Sequence, residues 1–395
     1  MTGHRRGGRH VATLTATLAA ALLAVLAGCA DFSATPPSYT VQPSLTPAVV
    51  TPVVPDPPGG SGGPSTPSSS GSSTAPDPCK PTDPAVIAAC LSSPVGIQPL
   101  DGQSAIVGER TTGRILKVIA RQDPVEVARV PGVDATGDGG LLGIALSPSY
   151  AQDQLIYAYV TTGTDNRIYR IAPGEAPKAV FSGIPKGAKN NGGAIMFSGR
   201  QLYVGTGDTR RPELAADPAS LAGKLLRLDE FGRPAGASLD GDTARFASGF
   251  TDPTGMCELP TGSVGVVDHR PAADLLLAAV PGKDYRQPRS GDAAWTWRAS
   301  DGGTADCAVA GGRLAASSLD GKKATAVAMS AAGAFNGTPT TILDGRYGRL
   351  RTIEAGPENL FWLATSNKDG KGKPVPSDDR VIVLPSGGGG DGGVD

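Results

Sequence analysis

The sequence predicts an all-β chain, a six-bladed β-propeller of four-stranded antiparallel blades. Three observations point there. Helical periodicity is scarce, and short alternating strands bounded by Gly, Asp and Pro dominate. A strand–turn–strand unit recurs, starting at Ala105 (AIVGERTTGRILKVI), Leu155 (LIYAYVTTGTDNRIYRI), Gln201 (QLYVGTGD…AGKLLRL) and Leu360 (LFWLATSN…DDRVIVL). The first three starts lie about 50 residues apart and the last about three such periods further on, with weaker strands near Val264 and Ala324 in the gap. That period gives about six units. A long β-sandwich is the alternative architecture.

The 395 residues are not all domain material. Residues 1–28 read as an export signal, in which Arg5, Arg6 and Arg9 precede the apolar run VATLTATLAAALLAVLA, short for a membrane span. The run closes with LAGC, Leu26 to Cys29, a spacing that suits lipoprotein processing. Cys29 would then carry the lipid and anchor the chain to the outer side of the cell membrane. A plain secretory signal is the alternative. Residues 29–78 collapse into Pro, Ser, Thr and Gly. Such a segment has too little apolar surface to offset its ordering entropy and reads as a disordered tether. Extended at about 3.1 Å per residue, it would reach on the order of 150 Å. Residues 79–385 hold the propeller, and SGGGGDGGVD, residues 386–395, reads as a second flexible tail.

The formal net charge is −1 and no basic block lies outside the signal, which argues against nucleic acid as a partner. Beyond Cys29 there are four cysteines, Cys79, Cys90, Cys257 and Cys307. An even number in an exported chain favours two disulfides, most simply Cys79–Cys90 and Cys257–Cys307, with buried free thiols as the alternative. No CxxC occurs, so a thiol-based zinc or redox motif is unsupported.

Most catalytic signatures fail. GGSGG at residues 59–63 fits G-x-S-x-G but has no strand or helix around it. Asp134, Thr136, Asp138 and Gly139 begin like an EF-hand loop, yet its twelfth position is Ala145 rather than Glu. GTGDTR lacks the last glycine of a dinucleotide loop. Of His4, His10 and His269, the first two leave with the signal. One remaining imidazole excludes a multi-histidine zinc site and most Ser-His hydrolase schemes.

The segment GDGGLLGIALSPSYAQDQLIYAYVTT, Gly137 to Thr162, resembles the one that marks the soluble glucose, aldose and sorbosone dehydrogenases dependent on pyrroloquinoline quinone (PQQ). The similarity continues in order through NNGGAIMFSGRQLYVGTGD, SLAGKLLRLDEFGRP, DHRPAADLLLAAVPGKDY and GRLRTIEAGPENLFWLATSN, covering nearly all of residues 90–384. The resemblance implies a six-bladed propeller, in agreement with the repeat. It also implies PQQ held by cationic side chains, a calcium ion on the quinone, and a histidine base oriented by an aspartate. The reaction it implies is oxidation of an aldose to its lactone.

Several residues depart from that pattern. The family block HNGGR, with the base first, reads NNGGA here, so Asn190 stands at the base position. A carboxamide has no useful basicity near neutral pH. Asp208, closing VGTGD, matches the orienting aspartate. The block GxRNPQG reads GFTDPTG, with Thr251 replacing a cofactor-binding arginine and Asp252 an asparagine. Exchanging a cation for a neutral group beside a new carboxylate disfavours a tricarboxylate. Arg349 and Arg351 in GRLRT match the paired cofactor arginines, and alternation puts both on one strand face. A family lysine expected near Ala331 is not evident. In DHRPAAD, the backbone carbonyls of Arg270 and Pro271 match the calcium ligands, and Asp274-Leu275 stands for an acidic pair that holds a further calcium. His269 reads as a partly exposed loop residue.

These substitutions favour a lipid-anchored extracytoplasmic propeller with a degenerate catalytic site, presenting its central funnel to a sugar or another envelope ligand. The alternative is a working PQQ- and calcium-dependent oxidoreductase with an altered base, a water or Asp208. Trp295, Trp297, Tyr285 and Trp362 are the aromatics available for stacking on a sugar.

Overall fold

The structure is a computed structural model describing residues 77–236 and 243–387. The expected export signal, Cys29 with its lipid, most of the tether and the tail from residue 388 lie outside the described residues. Ser386, expected at the start of that tail, is buried and donates its N–H to the Asn359 carbonyl, so the packed domain extends past residue 385.

After a short strand β1 (Val86–Ala88), the first blade is β2 (Pro94–Pro99), β3 (Ser104–Glu109), β4 (Arg114–Ile119) and β5 (Val125–Arg129). The second is β6 (Leu141–Leu146), then a short helix α1 (Tyr150–Asp153), β7 (Ile156–Thr161), β8 (Asn166–Ile171) and β9 (Lys178–Ile184). The third is β10 (Gly192–Ser198), β11 (Gln201–Thr206), helix α2 (Pro212–Ala216), β12 (Lys224–Leu228) and β13 (Arg245–Ser248). The fourth is β14 (Pro253–Glu258), β15 (Val264–Asp268), β16 (Ala273–Ala278) and β17 (Ala293–Arg298). The fifth is β18 (Thr304–Ala310), β19 (Arg313–Ser318), β20 (Lys323–Met329) and β21 (Phe335–Asp344). In the sixth, β22 (Leu350–Gly356), β23 (Leu360–Thr365) and β24 (Val381–Pro385) take β1 as their outer strand. The described chain is therefore a six-bladed propeller of four-stranded antiparallel sheets, closed by pairing its first strand with its last.

The unit read in the sequence is the middle hairpin of the first, second, third and sixth blades, since Ala105 is the second residue of β3, Leu155 immediately precedes β7, and Gln201 and Leu360 open β11 and β23. Val264 likewise opens β15, whereas Ala324 falls one strand later, in β20. These middle strands are apolar because both of their faces are covered. Every residue of β3 and β7 is buried, while the outer strand β5 is largely exposed. The core is accordingly six seams, one between each pair of neighbouring blades, rather than one central mass. At roughly 1.5–3 kcal/mol for each fully buried aliphatic side chain, these seams hold the ring together.

Each of the six inner strands carries a register break near its start: Val95/Ile97, Leu141/Gly143, Gly192/Ile195, Pro253/Gly255, Thr304/Asp306 and Leu350/Thr352. A bulge adds a residue that has no cross-strand partner and re-aims its side chain. Six bulges at one level form a ring of re-aimed residues at one end of the axis.

Both expected disulfides form. Cys257 on β14 joins Cys307 on β18, crossing a seam between blades that share no sheet. Cys79–Cys90 brackets the closing strand β1. With the cysteines 11 residues apart, the chain-entropy model gives this bond about 3 kcal/mol. Cys79→Ser with Cys90→Ser is expected to lower the urea-unfolding free energy by that amount and the midpoint with it, followed by tryptophan fluorescence because Trp362 packs in the seam beside β1. An unchanged midpoint would mean that strand pairing alone closes the ring.

Candidate functional site

Each inner strand packs against the inner strands of its two neighbours, and together they enclose an axial funnel of about 750 Å³. Asn190, Asp252, His269, Arg349 and Arg351 line it, so residues from four separate sequence blocks converge on one cavity.

The Asn-Gly-Gly turn enters β10. Asn190 has φ 54°, a left-handed conformation that asparagine tolerates, and Gly192 and Gly193 follow at 70° and 121°. A Cβ on Gly193 would lie 2.4 Å from the Leu142 Cβ, so the turn approaches β6 too closely for a side chain. Asn190 Nδ2 donates to Asp208 Oδ1 at 2.9 Å. Because a carboxylate only accepts, this bond fixes the amide orientation and leaves the Asn190 carbonyl oxygen available as an acceptor. Asp208 is buried behind Asn190, and its N–H is held by the Thr251 carbonyl at 2.8 Å. It therefore has something to orient: a carboxamide in place of an imidazole.

The loop 249–255 is pinned from below by Asp268, which is fully buried. Its carboxylate accepts the N–H groups of Thr251 and Asp252 and the Arg270 guanidinium Nε at 2.7 Å. Thr251 does not line the funnel, but Asp252 does, and its Oδ1 accepts the Gly192 N–H at 2.9 Å. Burial pushes the Asp252 carboxyl up to about 7, against the opposing pull of that N–H and of His269.

Arg349 and Arg351 both line the funnel, but simple alternation does not describe them. Arg349 precedes β22, and the bulge between Leu350 and Thr352 makes Arg351 the extra residue of that strand. Arg349 is ion-paired with Asp320 and, at 2.9 Å, with Asp369. The Arg351 guanidinium has no hydrogen bond or ion pair with any described residue, and burial followed by the nearby Arg110 charge holds its pKa below the usual arginine value.

In the expected calcium segment, Arg270 turns inward, donating to the Gly249 and Tyr285 carbonyls as well as to Asp268. The Arg270 and Pro271 carbonyls accept no hydrogen bond among the described residues, so they could serve a hard cation. Both Asp274 oxygens are engaged, Oδ1 meeting His269 Nδ1 at 2.5 Å and Oδ2 accepting the Thr304 N–H at 2.6 Å. Among the described residues no group of three or more His, Cys, Asp or Glu side chains is arranged to hold a metal. His269 is half exposed, as a loop residue would be, but its ring lines the funnel, and the bond to Asp274 raises its pKa above the ordinary histidine value.

Sequence reasoning missed several lining residues: Arg110, Arg210, Lys371, Asp306, Glu354 and Asp320. The bulge register carries the only available signal for some of them, and that register is invisible in sequence. Asp306 and Glu354 are carboxyls with no cationic partner among the described residues. Burial pushes Glu354 up to about 8 and Asp306 well above the carboxylate range, with the Glu354 charge adding to the latter. The expected stacking aromatics are not in the funnel. Tyr285 and Trp362 are fully buried, Trp297 is buried, and Trp295 packs against Phe335 in a blade seam. Seams take the large rings because they offer the most apolar area.

Among the described residues no helix is long and apolar enough to cross a membrane. Residues 91–293 match the family described as glucose/sorbosone dehydrogenase. The fold is similar to the PQQ-bound form of an aldose sugar dehydrogenase from Streptomyces coelicolor, at 35% identity and TM-score 0.71, covering 76% of this chain and 96% of that one. It is also similar to a putative oxidoreductase (glucose dehydrogenase) from Thermus thermophilus, at 30% identity and TM-score 0.68, covering 76% and 98%. The aldose sugar dehydrogenase YliI of Escherichia coli (strain K12) is 29% identical over 184 residues, 40% of this chain; the match spans about half, 48%, of that relative. With the family's motifs in order along the chain and its architecture in the fold, the chain belongs to the glucose/sorbosone dehydrogenase family.

Proposed function

We propose that this chain is a binding module of the cell envelope, a family propeller whose funnel recognises a small ligand without oxidising it. The observation that carries this is the Asn190–Asp208 pair. The frame that would orient a base is intact, with the amide nitrogen 2.9 Å from the carboxylate, but the group it orients cannot accept a proton near neutral pH. A carboxamide in that frame is suited to holding a ligand hydroxyl by hydrogen bonds.

The residues at the family's cofactor positions do not fit the quinone cofactor. At those positions Arg349 is already ion-paired twice, Thr251 is neutral and Asp252 adds a carboxyl to the wall, which leaves Arg351 with Arg110, Arg210 and Lys371, cations at other positions of the funnel. Arg351 alone of the expected arginines offers an unpaired guanidinium. Calcium on the Arg270 and Pro271 carbonyls is compatible with this reading but adds no chemistry to it. Export and lipidation at Cys29, with the membrane as partner, follow from the leader sequence and agree with two disulfides, which persist in oxidising compartments.

A second reading, the oxidoreductase, is favoured by one observation: His269 presents an imidazole to the funnel with Asp274 behind it. One experiment separates the two. The full chain is incubated with PQQ, calcium, glucose or another aldose, and an electron-accepting dye. We expect no aldose-dependent dye reduction. Reduction with one cofactor bound per chain would overturn the binding-module reading, and its loss in His269→Gln would establish the second.

A further inference from the structure

The ion-paired state of Arg349 is built into the fold from three directions. Its N–H donates to Asn367 Oδ1 at 2.9 Å and its carbonyl accepts the Ser366 N–H at 2.9 Å, which fixes the backbone against the loop after β23. The same loop supplies Asp369. One oxygen of that carboxylate takes Arg349 Nε at 3.0 Å, and the other accepts the N–H groups of Lys371 and Gly372 at 2.9 and 3.2 Å. From the fifth blade, the β19–β20 loop brings Asp320 onto the free Nη1. The Arg349 side chain is 4% exposed and Asp369 12%, whereas Asp320 is 73% exposed. All three line the funnel.

We propose that Asp320 and Asp369 are specificity-determining residues that occupy Arg349 from within, taking the places that two carboxylates of a ligand would otherwise fill. The inference deepens the binding-module reading by stating the ligand class. The funnel accepts a small polar ligand with one anionic group, directed to the unpaired Arg351, and discriminates against ligands with two or three carboxylates. The charge count at Arg349 gives the reason, since one guanidinium with two carboxylates leaves a local net charge of −1 there, so a polyanion would meet Arg351, Arg110, Arg210 and Lys371 without the help of Arg349. Asp369 is the fixed member, held by backbone N–H groups. Asp320, exposed to water and reaching in from another blade, is the exchangeable one.

The test measures dissociation constants for PQQ, as a tricarboxylate probe, and gluconate, as a monocarboxylate probe, on the full chain. Asp320→Asn is expected to tighten PQQ binding at least tenfold and to leave gluconate within twofold. The gain is expected to vanish in Asp320→Asn with Arg349→Gln, because it acts through that guanidinium. Asp320 is exposed, so the thermal midpoint of its variant should not move. A PQQ constant in Asp320→Asn within twofold of the parent overturns the inference, as does a gain that persists without Arg349. An equal gain for gluconate also overturns it, since that would be general electrostatics. The comparison is a ratio between variant and parent. A parent that binds PQQ and reduces dye therefore sinks the binding-module reading while leaving the Asp320 ratio to be judged separately.

Discussion

Asn190→His combined with Thr251→Arg is expected to tighten PQQ binding at least tenfold and to raise aldose-dependent dye reduction from background to a measurable rate. The backbone at residue 190 already suits the change, because histidine, like asparagine, is enriched at positive φ, and φ there is 54°. The partner is also in place. Asp208 Oδ1 sits 2.9 Å from the present amide nitrogen and can accept an imidazole N–H, fixing the tautomer and leaving the other nitrogen basic. A neighbouring carboxylate raises a histidine above its ordinary value of about 6.5, so the new rate should rise as pH passes through that raised value. A positioned base contributes typically about 10²–10⁴-fold, enough to read against a blank. Arginine at 251 restores a cation near Asp252 and partly offsets that carboxyl. Titration calorimetry and dye reduction check the two effects separately. If the double variant binds no cofactor, the funnel has diverged at more than these two positions, and the Asp320–Arg349–Asp369 cluster is the first place to look.

The fold was legible where one strand's composition reports its own surroundings. β3 and β7 are buried on both faces and read as continuous apolar runs, so the middle hairpins of four blades announce themselves and their period counts the blades, although in the fifth the reading fell one strand late, on β20. β1 was not legible. It has three residues, and its partner β24 lies nearly the whole domain away, so nothing local marks the closure. The bulges were hidden for a similar reason: one extra residue changes neither composition nor period enough to show. That is why Arg349 and Arg351 looked equivalent in GRLRT, although both line the funnel and only Arg349 is ion-paired there, with Asp320 and Asp369. Asn190 and Asp208 could be named because NNGGA and VGTGD resemble the family's blocks that carry the base and the aspartate that orients it. Asp320, Asp369 and His269 could not be ranked, because their meeting at the axis depends on loops from three blades.

Lys224→Met is expected to be the most damaging single substitution away from the funnel, costing roughly 4 kcal/mol of stability. The ammonium is completely buried, and its three protons go to the carbonyls of Leu214, Ala215 and Ala222 at 3.1, 2.9 and 2.8 Å. Methionine fills the volume but leaves those carbonyls without donors, and α2 loses the contact that holds its last turn. The damage reaches the site, because the segment that Lys224 supports begins at Asp208, whose carbonyl accepts the Arg211 N–H just before α2. The pH dependence distinguishes this account from simple overpacking. Burial pushes the Lys224 pKa down to about 8 from 10.5. Between those values the unfolded chain binds a proton that the folded chain does not, so this group makes stability rise with pH across that window. The difference in urea-unfolding free energy between parent and Lys224→Met should therefore be flat below pH 8 and widen above it. A difference that narrows over the same range would mean that the three carbonyls hold the charged form more strongly than burial opposes it.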